Sequence, residues 1–143
     1  MKYASEYDAQ AGEFLRKHGV TIDRCFLGRM PYFDGDKESR NVWRITFQRG
    51  DRQVSFRFGD SLVNTWKKPR PEPSAYALLS CAAGDSCFDC ADVWEMIDEY
   101  GYDPPRSKAE YTRLYRSWKA ASKLGSQLRE LFSDCLDDLQ EVS

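Results

Sequence analysis

The sequence predicts an α+β fold: an N-terminal helix, a small antiparallel sheet of about three strands, then a three-helix unit ending in a long amphipathic helix. Three observations carry that expectation. The stretch VWRITFQRGDRQVSFRF alternates apolar and polar residues on both sides of Gly50-Asp51, the pattern of a two-residue β-hairpin. Beyond residue 73 the period changes to that of helices, opened by Ser-led capping patterns. From Tyr111 an apolar heptad then runs almost to the end of the chain.

Taken in order, Ser5 followed by Asp8 reads as a capping box, and Tyr7, Ala11, Phe14, Leu15 and His18 share one helical face that Gly19 ends. VTIDRCFLG (20–28) reads as a strand, and MPYFDGDKESRN as a loop rich in turn residues. In the hairpin, the turn sets the register. Phe47 faces Val54, Ile45 faces Phe56 and Trp43 faces Phe58, so both apolar rows fall on one face. KKPRPEP (67–73) suits neither a helix nor an inner strand, and it divides residues 1–66 from a helical unit, 74–143, within one compact domain. Ser74 opens a helix that Gly84 ends. Ser86 with Asp89 opens a second, closed by Gly101, and Ser107 with Glu110 opens a third that runs to about residue 140. In this last helix Tyr111, Trp118, Gly125, Phe132 and Leu139 interleave with Leu114, Ala121, Leu128, Cys135 and Val142. The stripe serves either as the spine of the helical unit or as a homodimer seam, so the chain is expected to be a monomer or a dimer through this helix.

Composition narrows the function classes. With 41% hydrophobic and 14% aromatic residues, 143 residues suffice for one core and are too apolar for a disordered chain. No apolar run spans a bilayer, and MKYASEYDAQ lacks the apolar stretch of a secretory signal, so a cytoplasmic protein without a membrane partner is expected. The net charge of −2 divides unevenly: residues 1–73 carry +4 and residues 74–143 carry −6. Residues 85–103 are acidic with no Lys or Arg, whereas 106–123 hold six basic residues against Glu110. An antiparallel helix pair would join the two blocks; otherwise the basic stripe is free for an acidic partner.

Sequence motifs for catalysis are missing: there is no Gly-x-Ser-x-Gly, phosphate loop or His-Glu-x-x-His, and His18 is the sole histidine. No enzyme activity and no cofactor are expected. Cys87 and Cys90 stand in Cys-x-x-Cys spacing, with Cys81 upstream. A zinc site needs a fourth ligand that the spacing does not supply, and Asp85, Asp89 and Asp92 oppose a redox thiolate. The alternative is a packed helix corner of Cys81, Phe88, Cys90 and Trp94. The hairpin is the sharper site. Its register sets Arg44 directly opposite Arg57 on the polar face, an unfavourable like-charge pair that Arg24 joins if the first strand lies alongside. Either the arginines splay into solvent, or a helix or a partner supplies counter-charge. Trp66, Lys67, Lys68 and Arg70 form a second basic-aromatic spot of the kind that grips a phosphate backbone or a base.

The stretches PSAYALLSC, FDC and GYDPPRSKAEYTRLY, preceded by SFRFGDSL, are similar to segments of small uncharacterised accessory proteins of bacteriophages and mobile elements. The similarity covers about half of the chain; Pro104-Pro105 departs from it, standing where more polar residues are expected. The resemblance implies a non-enzymatic protein of the bacterial cytoplasm that binds a host or phage protein complex, with inhibition of a host defence complex (anti-CRISPR-like) as one specific form. A nucleic-acid-binding module built on the basic hairpin face is the alternative, and a small zinc or redox module a second alternative.

Overall fold

The computed structural model describes residues 4–32, 37–59, 72–85 and 90–143. Helix α1 (Ala4–Lys17) leads into strands β1 (Val20–Met30), β2 (Arg40–Arg49) and β3 (Arg52–Gly59), followed by helices α2 (Ala75–Asp85), α3 (Val93–Tyr100), α4 (Lys108–Leu131) and α5 (Leu136–Val142). The strands form one antiparallel sheet in the order β1-β2-β3. The class is α+β, as the sequence predicts.

The hairpin has the expected register: Phe47 pairs with Val54, Ile45 with Phe56, Trp43 with Phe58 and Arg44 with Arg57. Gly50 holds φ +61 at the turn, a conformation a side chain resists. The apolar face of the sheet forms the floor of the core. Trp43, Ile45, Phe47 and Val54 pack beneath Phe14 of α1, Leu78 and Leu79 of α2, Leu128 and Phe132 at the end of α4, and Leu139 of α5. Phe47 meets Phe56 and Phe132 edge-on, with ring centroids 5.2 and 6.4 Å apart. Helices therefore cover one face of the sheet. Much of the other face is exposed along its polar positions, among them Thr21, Asp23, Arg44, Gln48, Gln53, Ser55 and Arg57.

Several local expectations give way to tertiary contacts. Asp8 does not close a capping box on α1. Its Oδ1 accepts from the Tyr76 amide, 3.1 Å away, and so caps α2 together with Ser74, whose Oγ accepts from the Ala77 amide. Helix α2 passes through Gly84 to Asp85. Helix α3 starts at Val93, because Asp92 and Glu95 form the capping box there: Asp92 Oδ1 accepts from the Glu95 amide and Glu95 Oε2 from the Ala91 amide. The Ser86/Asp89 pattern lies outside the described residues. Gly101 ends α3 with φ 70, and Ser107 with Glu110 opens α4, both as expected.

The long helix does not reach residue 140. It stops at Leu131, and α5 follows as a separate helix. The stop follows from the hairpin turn. Arg49 donates from Nη1 to the Leu131 carbonyl (2.9 Å) and forks onto both carboxylate oxygens of Asp134 at 2.6 and 2.8 Å. Its Nε donates to the His18 carbonyl, 2.9 Å away, just after α1. Arg52 donates to the Glu130 carbonyl at 3.0 Å. Two cations thus occupy carbonyls that α4 leaves unpaired at its negative end.

The Arg49 hydrogen bonds hold the Asp134 carboxyl well below the usual range, and Asp134 holds the Arg49 guanidinium above its ordinary value. The folded protein therefore binds this proton less readily than the unfolded chain. The stabilisation is complete above about pH 4, the ordinary range of an aspartate, and is lost as the pH falls below it. Asp134→Asn is expected to melt below wild type at pH 7, with the gap closing as melts are taken from pH 4 towards pH 2. A gap that stays constant through that range would contradict the pairing.

Candidate functional site: the open face of the sheet

On a strand that is covered on one face only, alternate side chains must meet water. On the open face of this sheet Arg44 and Arg57 sit directly across from each other, both exposed. Thr46 and Ser55 share a hydrogen bond of 2.9 Å one pair along, and Gln53 donates to Gln48 at 3.1 Å beyond it. Arg57 Nη2 lies 3.1 Å from Met30 Sδ. Arg44 has no hydrogen bond or ion pair among the described residues. Asp23 is the only carboxylate of the three strands, and it forms no ion pair with either arginine. The face thus offers two guanidinium groups at neighbouring positions, each able to fork onto a carboxylate or phosphate.

Arg24 does not join them. Register shows why: β1 pairs Cys25, not Arg24, with Arg44, so Arg24 turns to the apolar face, where its Nε donates to the Pro73 carbonyl at 2.8 Å. Trp66, Lys67, Lys68 and Arg70 lie outside the described residues, as does Cys87. Cys81 and Cys90 have separate surroundings. Cys81 Sγ is 3.9 Å from the Tyr32 hydroxyl, and Cys90 Sγ is 3.8 Å from Glu99 Oε2. Of the residues of the expected packed corner, Cys90 is buried, Cys81 is half-buried and Trp94 is 55% exposed. Phe88 is not among the described residues.

A second cluster was not foreseen from the sequence. Donor atoms of His18, Asp134 and Cys135 lie within 4.8 Å of one another where α1 ends and α5 begins. They suit neither a metal nor a nucleophile. Both Asp134 oxygens are taken by Arg49, and burial, followed by the Asp134 charge, raises the Cys135 thiol above its ordinary value. A catalytic thiolate needs the opposite shift. His18 Nε2 is buried without a hydrogen-bond partner, and Asp138 Oδ2 is 3.7 Å away, beyond hydrogen-bonding distance. The adjoining cleft between α1 and α5, about 620 Å³, is lined by His18, Asp138, Glu13, Lys17 and Glu141 among others, with both signs of charge.

Among the described residues, the acidic and basic blocks of the helical unit form no ion pair with each other. Helices α3 and α4 pack side by side, yet Arg106, Lys108, Arg113, Arg116, Lys119 and Lys123 form no ion pair among the described residues. Among those residues no helix is long and apolar enough to cross a membrane. Comparison of the chain with protein-family models, with curated proteins and with solved structures finds no match.

In the native protein Cys135 is expected to react with a disulfide reagent at pH 8 much more slowly than in denaturant. Added Zn²⁺ is expected to leave the melting temperature unchanged. Rapid native labelling of Cys135, or a zinc-dependent rise in melting temperature, would show the cluster to be chemically active.

Proposed function

We propose that this is a non-enzymatic binding protein whose open sheet face grips an acidic group on a macromolecular partner. The observation that carries the reading is the contrast between two like-charged pairs of one hairpin. Arg49 faces Arg52 next to the turn, and both are spent on the end of α4. Arg44 faces Arg57 on the open face, and no carboxylate of the described chain meets them. Directly opposed like charges cost up to about 1 kcal/mol in a sheet. Solvent alone leaves that cost in place, whereas a bound carboxylate or phosphate offsets it.

The resemblance of the C-terminal half to phage and mobile-element accessory proteins favours a protein complex of the bacterial host as the partner. Inhibition of a host defence complex is the specific form of that reading. A second reading, nucleic acid, rests on the same two arginines. Two phosphate contacts would give log K a slope of about −2 against log salt on duplex DNA.

The test compares wild type with Arg44→Glu/Arg57→Glu. Capture from bacterial lysate is expected to retain a partner on wild type and lose it on the variant, whose melting temperature is not lowered. A variant that is more stable and keeps every interaction would leave the arginines as solvated surface. Titration with labelled DNA and RNA in low salt separates the two readings: salt-sensitive binding lost in the variant selects nucleic acid, and its absence selects the protein partner.

A further inference from the structure

Aromatic side chains at helical spacing normally face a core, and the heptad of α4 does so only in its second half. Leu128, Leu131 and Phe132 are buried, whereas Tyr111 and Tyr115, nearer the start of the helix, are exposed. These two rings continue into a row across both helices. Trp94 of α3 lies 6.0 Å from Tyr111, Tyr111 lies 6.4 Å from Tyr115, and Tyr115 lies 5.7 Å from Trp118. The Trp118 indole is anchored by donating to the Cys90 carbonyl at 3.0 Å. Cys90 beside Trp118 and Trp94 beside Tyr111 make α3 antiparallel to α4. Tyr100 and Tyr102, about half exposed, lie at the end of α3.

The row has two margins of opposite charge. Along α4, Arg116, Lys119 and Lys123 share one flank (spacings of three and four residues), next to Tyr115; all are exposed and make no ion pair among the described residues. Along α3, Glu95 and Asp98 lie on the flank beyond Trp94, both exposed. With the three exposed rings of the row, Trp94, Tyr111 and Tyr115, 37 to 55% exposed, and about 200 Å² to each ring, the row exposes on the order of 300 Å² of aromatic surface. A stable interface buries about 800 Å² per partner, a total that the charged flanks bring within reach.

We infer that the α3–α4 face binds a second copy of this chain about a two-fold axis that runs along the two helices in the plane of the contact. Such an axis lays each acidic α3 margin on the basic α4 margin of the other copy and stacks the two aromatic rows in between. An isologous contact requires a self-complementary patch, and this bipolar one fulfils the condition. A polyanion would gain the α4 margin and meet Glu95 and Asp98, so nucleic acid fits this face less well. The inference is independent of the open sheet face, which lies elsewhere on the chain.

Two charge-reversed full-length chains test it. One carries Arg116→Glu/Lys119→Glu/Lys123→Glu, the other Asp98→Lys, which leaves the Glu95 cap of α3 in place, and thermal melts check that each is folded. Sedimentation velocity at tens of micromolar is expected to give a dimer for wild type and a monomer for each variant alone. Mixed in equal amounts, the two variants are expected to form a heterodimer, because reversal restores both pairs of margins. A monomeric wild type overturns the proposal, and so do variants that dimerise alone or fail to pair when mixed. A labelled single-stranded oligonucleotide that binds wild type and quenches tryptophan fluorescence, with no dimer present, also overturns it in favour of nucleic acid. For a variant that does not fold, Tyr115→Ser replaces it: loss of the dimer with an intact melt supports the face, and an intact dimer overturns it.

Discussion

Arg49 reaches three separated segments at once, and the packing of the layers depends on that reach. From the last residue of β2 its guanidinium meets the His18 carbonyl after α1, the Leu131 carbonyl at the end of α4 and the Asp134 carboxylate before α5. Hydrogen bonds from a charged donor to part-buried carbonyls contribute on the order of 1–2 kcal/mol each. The larger consequence is geometric. With α4 ended at this point, Phe132 is set between Phe14 and Phe47, and the chain turns so that Leu139 of α5 closes the core. Arg52 completes the arrangement from the other side of the turn. A Gly50 turn that fixes the hairpin register thereby also fixes where the longest helix stops.

The same register divides the arginines of the hairpin by surroundings. Strand alternation sends Arg49 to the helix layer and Arg44 to the open face. Of the two opposed pairs, one is neutralised by a helix end and an aspartate, and the other is exposed beside polar side chains. Natural edge and open faces often carry charge that discourages aggregation. That role does not require two arginines at directly facing positions, which is why the pair is read as a binding element.

Much of the fold was legible because it follows from local periodicity. The hairpin register, the Gly101 stop and the Ser107–Glu110 cap depend on residues within a few positions of one another. What escaped the sequence depends on contacts across the chain. Asp8 caps α2, 68 residues away, and Arg49 ends α4, 82 residues away. Arg24 could be placed only once the β1–β2 register was known, because a shift of one residue moves it to the opposite face. The aromatic row had a partial signal: the heptad carries Tyr and Trp in its first half and Leu and Phe in its second. A tyrosine hydroxyl suits a half-wet surface better than a core. The open-face arginines were legible from the sequence, whereas Trp66, Lys67, Lys68 and Arg70 lie outside the described residues.

The central claim is that the two arginine pairs have opposite roles, one holding the fold and one left for a partner. Thermal melts of Arg49→Gln/Arg52→Gln and Arg44→Gln/Arg57→Gln, side by side at pH 7 and low salt, test it most directly. The account predicts a melting temperature lowered by at least about 5 °C for the first, from roughly 2–4 kcal/mol for the two part-buried carbonyl bonds of Arg49, and unchanged or raised for the second. A second variant that loses as much stability as the first would contradict the account.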